Sequence, residues 1–229
     1  MASGRAGTPR TPSPHTRDNR QIGVQMADTA TDLDTINPDY VSTGTPVDGA
    51  SCFINFDLST DISAITAANY LTAFKAEGSK WKNLGELSDS GYTKSVSTTS
   101  NTFKGWHGSP LLTKISDEEN KFKCEFVEVS RPTVAQVRYG ETNVVLDTDG
   151  SIKSITPTRV PTTRAIIAFA ELLDNGRLSL TIFPRAAIDS IDDEAHQQGS
   201  LFTYGMTFSA GTDSKGHPYY ITYAKPVAA

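Results

Sequence analysis

RAIIAFAELLDNGRLSLTIFP, the stretch from Arg164 to Pro184, decides the fold. Ala165 to Ala170 is apolar at every position, as suits a strand covered on both faces in the middle of a sheet. Leu178, Leu180 and Ile182 alternate with Ser179 and Thr181, the period of a strand with one dry and one wet face. Between the two runs stands Asp174-Asn175-Gly176. Asn-Gly accepts the positive φ angles of a type I′ turn, so the passage reads as a β-hairpin.

The same alternation extends outward. Phe122, Cys124 and Phe126 oppose Lys123 and Glu125, while Phe202, Tyr204, Met206 and Phe208 oppose Thr203, Gly205, Thr207 and Ser209. Asp147-Thr148-Asp149-Gly150 marks a second turn, between Val144–Leu146 and Ile152. Short β-branched and aromatic runs separated by Gly, Asp, Asn and Pro indicate an antiparallel β domain. Helix is confined to two stretches. Ser130 as N-cap and an early Pro132 begin one that runs through Thr133 to Tyr139. Ile62 to Ala76, with Ile65, Ala68, Leu71 and Phe74 near helical spacing, is the other.

The chain has 229 residues, 37% of them hydrophobic, and a formal net charge of −5. A chain of this size buries roughly 70% of its extended surface, enough for one core or two very small ones. Collagen, coiled coil and a wholly disordered chain are excluded, and the longest apolar run, Ala165 to Leu173, is interrupted by Glu171, well short of a membrane-spanning helix. Cys52 and Cys124 lack metal-site spacing and are expected as buried, reduced thiols. With neither a secretory signal core nor an N-x-S/T sequon, the chain reads as made and folded in a cytoplasm.

Residues 1–25 carry Arg5, Arg10, Arg17 and Arg20 against a single Asp18 and no aromatic residue, so they are expected to be a disordered basic tail. Either this tail touches phosphates or Met26 is the real start; the second reading is preferred. Residues 26–49 are polar, acidic and turn-rich, a flexible arm, and residues 50–229 form one β domain.

A search for chemistry finds little. Asp193-Glu194-Ala195-His196 matches a helicase box, but no phosphate-cradling loop accompanies it, because His217-Pro218 follows Gly211 to Gly216 where Lys and Ser/Thr would stand. Asp147 and Asp149 resemble half a calcium loop without its closing glutamate. His107, His196 and His217 are mutually distant, and Ser109 beside His107 is adjacency rather than a nucleophile and its base. The expected site list is therefore empty: no catalytic residue, no metal, no cofactor. A binding or assembly protein fits this profile better than an enzyme.

The order of motifs resembles the major tail (tail tube) proteins of long-tailed, non-contractile bacteriophages, in particular those of actinobacterial hosts. The resemblance is carried by Trp81-Lys82-Asn83-Leu84-Gly85 with SDSGY (Ser88 to Tyr92), by Phe103-Lys104-Gly105-Trp106, and by FKCEFVE (Phe122 to Glu128) running into TVAQVRYG (Thr133 to Gly140). RAIIAFAEL, GRLSLTIFP, AAIDSI (Ala186 to Ile191) and the aromatic passage from Phe202 to Tyr220 complete the succession. Ile54 to Lys80 is longer and more helix-like than the family pattern.

The resemblance implies an antiparallel β-sandwich or barrel with one flanking short helix and an extended N-terminal arm, similar to the tubes of contractile tails and type VI secretion. It implies sixfold rings of this chain stacked into a hollow virion tube, assembled in the host bacterial cytoplasm. The implied partners are the chain itself, tape measure protein, tail terminator and tail-tip proteins, with double-stranded DNA in passage and no membrane. The acidic balance suits a channel wall that must not hold phosphate. One small-polar face, Ser179/Thr181 or Thr203/Thr207/Ser209, is expected in the lumen. The arm from Asp28 to Gly49 and the loop at Ser88 to Tyr92 are expected to make ring-to-ring contacts.

Overall fold

The computed structural model describes residues 42–47 and 51–225; the basic tail and nearly all of the arm lie outside the described residues. In chain order the elements are β1 (Gly44–Pro46), β2 (Cys52–Asn55), α1 (Tyr70–Lys75), β3 (Lys82–Asn83), β4 (Leu87–Lys104), β5 (Pro110–Phe126), α2 (Pro132–Tyr139), β6 (Val144–Leu146), β7 (Ile152–Ile155), β8 (Ala165–Leu173), β9 (Leu178–Ile191), β10 (Tyr204–Gly211) and β11 (Tyr220–Ala224). A nine-stranded sheet runs β3-β2-β8-β9-β10-β5-β4, with β1 added to β8 and β11 to β9, while β6 and β7 pair separately. Every pairing is antiparallel.

β8 is central, as its composition demands. Ala165, Ile167 and Phe169 enter one core with Phe122, Phe126, Phe183, Met206 and Phe208, closed by Val134 and Val137 of α2. Ile166, Ala168 and Ala170 enter a second core with Phe53, Leu180 and Ile182, closed by Tyr70 and Phe74 of α1. Trp81 stacks on Phe74 at 3.9 Å and caps it. The sheet then rolls over the first core. Tyr92 of β4, the last strand of the path, stacks on Phe169 of β8 at 4.1 Å with the rings 10° apart. Phe122 fills the space beneath, 4.0 Å from Phe183 and 4.9 Å from Phe208. The result is the expected antiparallel sandwich, with two short helices rather than one.

Rolling corrects one reading of β9. Ser179 and Thr181 are 4% and 2% exposed, because β4 covers that face and the Tyr92 hydroxyl donates to Thr181 Oγ1 at 3.2 Å. This pair cannot line a lumen. Leu180 and Ile182 pack on α1's side, so the first half of β9 is dry on both faces.

The 174–176 hairpin forms with a different turn. Leu173 N–H donates to the Arg177 carbonyl and Gly176 N–H to that of Leu173, each at 2.8 Å, giving a three-residue loop with Gly176 at φ 74° instead of a two-residue type I′ turn. The same bonds close Gly105–Ser109, Asp147–Ser151 and Asp213–His217, each with glycine in the fourth place. A left-handed residue followed by a bulge matches strand twist, and any L side chain there costs roughly 1–2 kcal/mol.

Three further expectations shift. The Ile62–Ala76 helix shrinks to Tyr70–Lys75, preceded by turns in which Asn69 Oδ1 accepts Thr66 N–H at 2.7 Å. Its buried face is Ala67, Tyr70 and Phe74, whereas Ala68 is exposed. At α2 the capping position belongs to Arg131, with no side-chain bond, and Ser130 stands outside. Ser88 to Tyr92 is a bulge inside β4 rather than a loop: Leu87 pairs with Phe126 and Tyr92 with Cys124, so five steps of β4 match two of β5.

Cys52 and Cys124 are free and buried, and burial pushes both thiols up. Neither should react with a thiol reagent in the native state, and both should react at the rate of global unfolding, measured by stopped-flow labelling. Truncating Phe122 to Ala should cost about 3–5 kcal/mol by urea denaturation.

Candidate functional site

The second half of β9 with β10, β5 and β4 presents an outward face built from the polar half of each alternation. Thr207 pairs with Lys123 and Ser209 with Lys121, while Thr93, Ser95, Ser97 and Thr99 extend the row on β4. Thr203, Thr207 and Ser209 are half-buried. Four carboxylates, Glu119, Glu125, Asp189 and Asp192, lie around two ammonium groups, with Asp117 further along the same row. Lys121 Nζ lies 3.0 Å from both Glu119 and Asp189, and Lys123 Nζ lies 2.7 Å from Asp192. Hydrogen bonds to Glu119 and Asp189 hold the Lys121 ammonium above its usual range, and Asp192 does the same for Lys123. Such exposed pairs add little stability. They do tether each cation within its carboxylate neighbours, so the face carries net negative charge. Thr203 donates to Glu125 on the same surface. Gly205 is demanded by packing, since a Cβ there would meet Asp192 Oδ2 at 2.5 Å.

Past Val96 and Asn120 the β4–β5 ribbon leaves the body and projects for roughly 30 Å at 3.3 Å per residue. It carries apolar side chains into solvent: Phe103 is 56%, Leu111 72%, Ile115 66% and Trp106 fully exposed. A lone two-stranded ribbon is marginal in water, and such a patch marks an interaction surface. β4 is also the last strand of the sheet path, so among the described residues its outer edge has no partner strand. An unpaired edge of this length is a template for another strand.

The helicase-like box has a structural use that sequence reasoning missed. Arg138 of α2 is 6% exposed and pairs with Glu194, and its guanidinium sits 4.5 Å from the Tyr204 ring centroid. Its Nε and Nη1 are buried without a partner. Tyr139 donates to Glu194 at 2.9 Å, and His196 lies 3.5 Å from the other carboxylate oxygen. The pair thus pins the 192–203 segment onto α2. The only sequence hint was an Arg on the apolar side of a short helix.

The remaining sequence candidates fall on turns. His107 and Ser109 share the exposed ribbon tip. Asp149 Oδ1 accepts from Ser151, and Asp213 Oδ1 accepts from the Lys215 and His217 N–H groups, so these oxygens stabilise hairpin loops. Among the described residues no three His, Cys, Asp or Glu side chains gather as metal ligands. Two clefts remain. One, about 350 Å³, lies between α2 and the Thr158–Thr163 loop, and another, about 510 Å³, lies under the β4 bulge. Neither a scan against protein-family models nor a comparison with curated proteins finds a match for this chain.

Burial alone would raise the Glu194 carboxyl, but the Tyr139 hydroxyl and the Arg138 guanidinium outweigh it and hold it below its ordinary 4.5. The unfolded chain therefore takes up this proton first. The stability from Glu194 is complete above about pH 4.5 and is lost as pH falls through the lower folded value. Thermal melts from pH 7 to pH 3 should show Glu194→Gln already destabilised at pH 7 and losing less on acidification than the parent chain.

Proposed function

We propose that the chain is the structural subunit of a bacteriophage tail tube, forming stacked hexameric rings around a channel for genomic DNA. The observation that carries this reading is the acidic, small-polar outward face ending at the unpaired edge of β4. Laid side by side, such faces make a continuous wall once each free edge finds a strand on the next copy, since barrel closure removes edges. A wall in which lysines are tethered to carboxylates repels phosphate and lets DNA slide. The projecting ribbon supplies the second contact direction, and a head-to-tail contact that does not close on itself propagates into a filament. In this role the chain carries no reaction and no cofactor. Tape measure, terminator and tail-tip proteins would be its partners in the virion.

A second reading, a head decoration or carbohydrate-binding module, draws on the fully exposed Trp106. It is weaker, because that ring stands on a ribbon tip instead of in a groove where a sugar could be enclosed.

Negative-stain electron microscopy with light scattering tests the proposal. Six-membered rings or hollow tubes are expected on concentration. A chain that stays monomeric and featureless at every concentration would overturn it, and a glycan screen would follow.

A further inference from the structure

The cleft under the β4 bulge is lined by Leu87, Ser88, Tyr92, Ser51, Phe169 and Glu171, among others. The hydroxyls of Ser51 and Ser88 are both buried there without a hydrogen-bond partner. Ser51 is 6% exposed, so water does not satisfy it from outside. An unpaired buried hydroxyl is costly, and it calls for a donor or acceptor that arrives with something else. The stacked rings of Tyr92 and Phe169 give the cleft an aromatic wall. Glu86, Asp89 and Glu171 give it negative charge, with Lys94 the cation that acts on Glu171. An aromatic, acidic cleft with idle hydroxyls suits an incoming aromatic ring with an N–H donor and flanking positive charge.

This chain carries such a group. Trp106 is fully exposed at the tip turn, its indole is a donor only, and the Lys104 ammonium stands two positions before it in a stretch, Asn101 to Ile115, without an acidic residue. The placement matters as much as the chemistry. The same strand, β4, begins at the cleft with Leu87 and ends beside the tip with Lys104. At 3.3 Å per residue, plug and socket stand roughly 50 Å apart along one axis. A tip at one end cannot reach its own socket at the other, but a second copy displaced along that axis can receive it.

We propose that Trp106 of one copy inserts into the Ser51/Ser88/Tyr92/Phe169 cleft of the next, making the β4–β5 ribbon a head-to-tail plug between successive copies. This rests on the self-assembly reading above and names the contact that makes the assembly polar. The occupant is a second copy because plug and socket are complementary in charge and sit at opposite ends of one strand.

Two measurements test it. The protein has two tryptophans, and Trp81 is packed on Phe74, so Trp81→Phe leaves Trp106 as the single emitter without emptying that stack. Its emission should shift to the blue, and acrylamide quenching should be lost, on passing from monomer to assembled particle. In the second, copies carrying His107→Cys, which keep the Trp106 indole, are mixed with copies carrying Ser90→Cys, which keep the acidic lining, and oxidised. The mixed disulfide dimer should form in preference to either like pair. Both positions are exposed, His107 in the tip turn and Ser90 in the β4 bulge, and circular dichroism checks that the substitutions leave the fold intact.

Tubes that assemble while Trp106 stays as quenchable as in the monomer would overturn the plug and leave the tube reading standing. Protection of Trp106 without the mixed dimer would place the tip elsewhere and overturn the cleft. A parent chain that never assembles would overturn both together.

Discussion

The stack of Tyr92 on Phe169 is the contact on which the architecture turns. These rings belong to strands that are far apart in the sheet path, and their meeting converts a flat ladder into a rolled one. Phe122, Phe183 and Phe208 occupy the space this creates, each within ring contact of another. Aromatic pairs add only about 0.5–1.5 kcal/mol beyond their buried area. Their larger effect is geometric, because the roll decides which polar residues are sealed in and which are left facing out.

That decision explains where sequence reading succeeded and where it stopped. The β class, the central position of β8, the hairpins and α2 were legible because each depends on a local period or a turn residue. The fate of Ser179 and Thr181 was not, since their alternation with leucines is the same whether the second face meets water or the underside of β4. The three-residue loops were half legible: glycine marked the turn, but its length follows from which carbonyl the following N–H reaches. The pairing of Arg138 with Glu194 joins residues more than fifty positions apart, and nothing in their spacing announced it.

The outward face was legible in part. Thr207 and Ser209 were visible as a polar alternation, yet the carboxylates that give the face its sign come from several strands and are gathered only by register. Asp189 reaches Lys121 because of the irregular pairing of β9 with β10, where Ser190 opposite Thr207 is followed by Ile188 opposite Phe208. A one-residue bulge thus sets the electrostatics of a surface four strands wide.

The β4–β5 ladder has a mechanical consequence. A pull on the tip is shared by both strands and reaches the body as shear across the β5–β10 ladder, where the pairs from Lys121 to Phe126 are loaded together because their hydrogen bonds lie across the strands. A sideways force at the tip would instead open them one at a time. A ribbon anchored in this way behaves as a tie rod: strong in tension along its axis, compliant in bending, and suited to a slender object that must flex without coming apart.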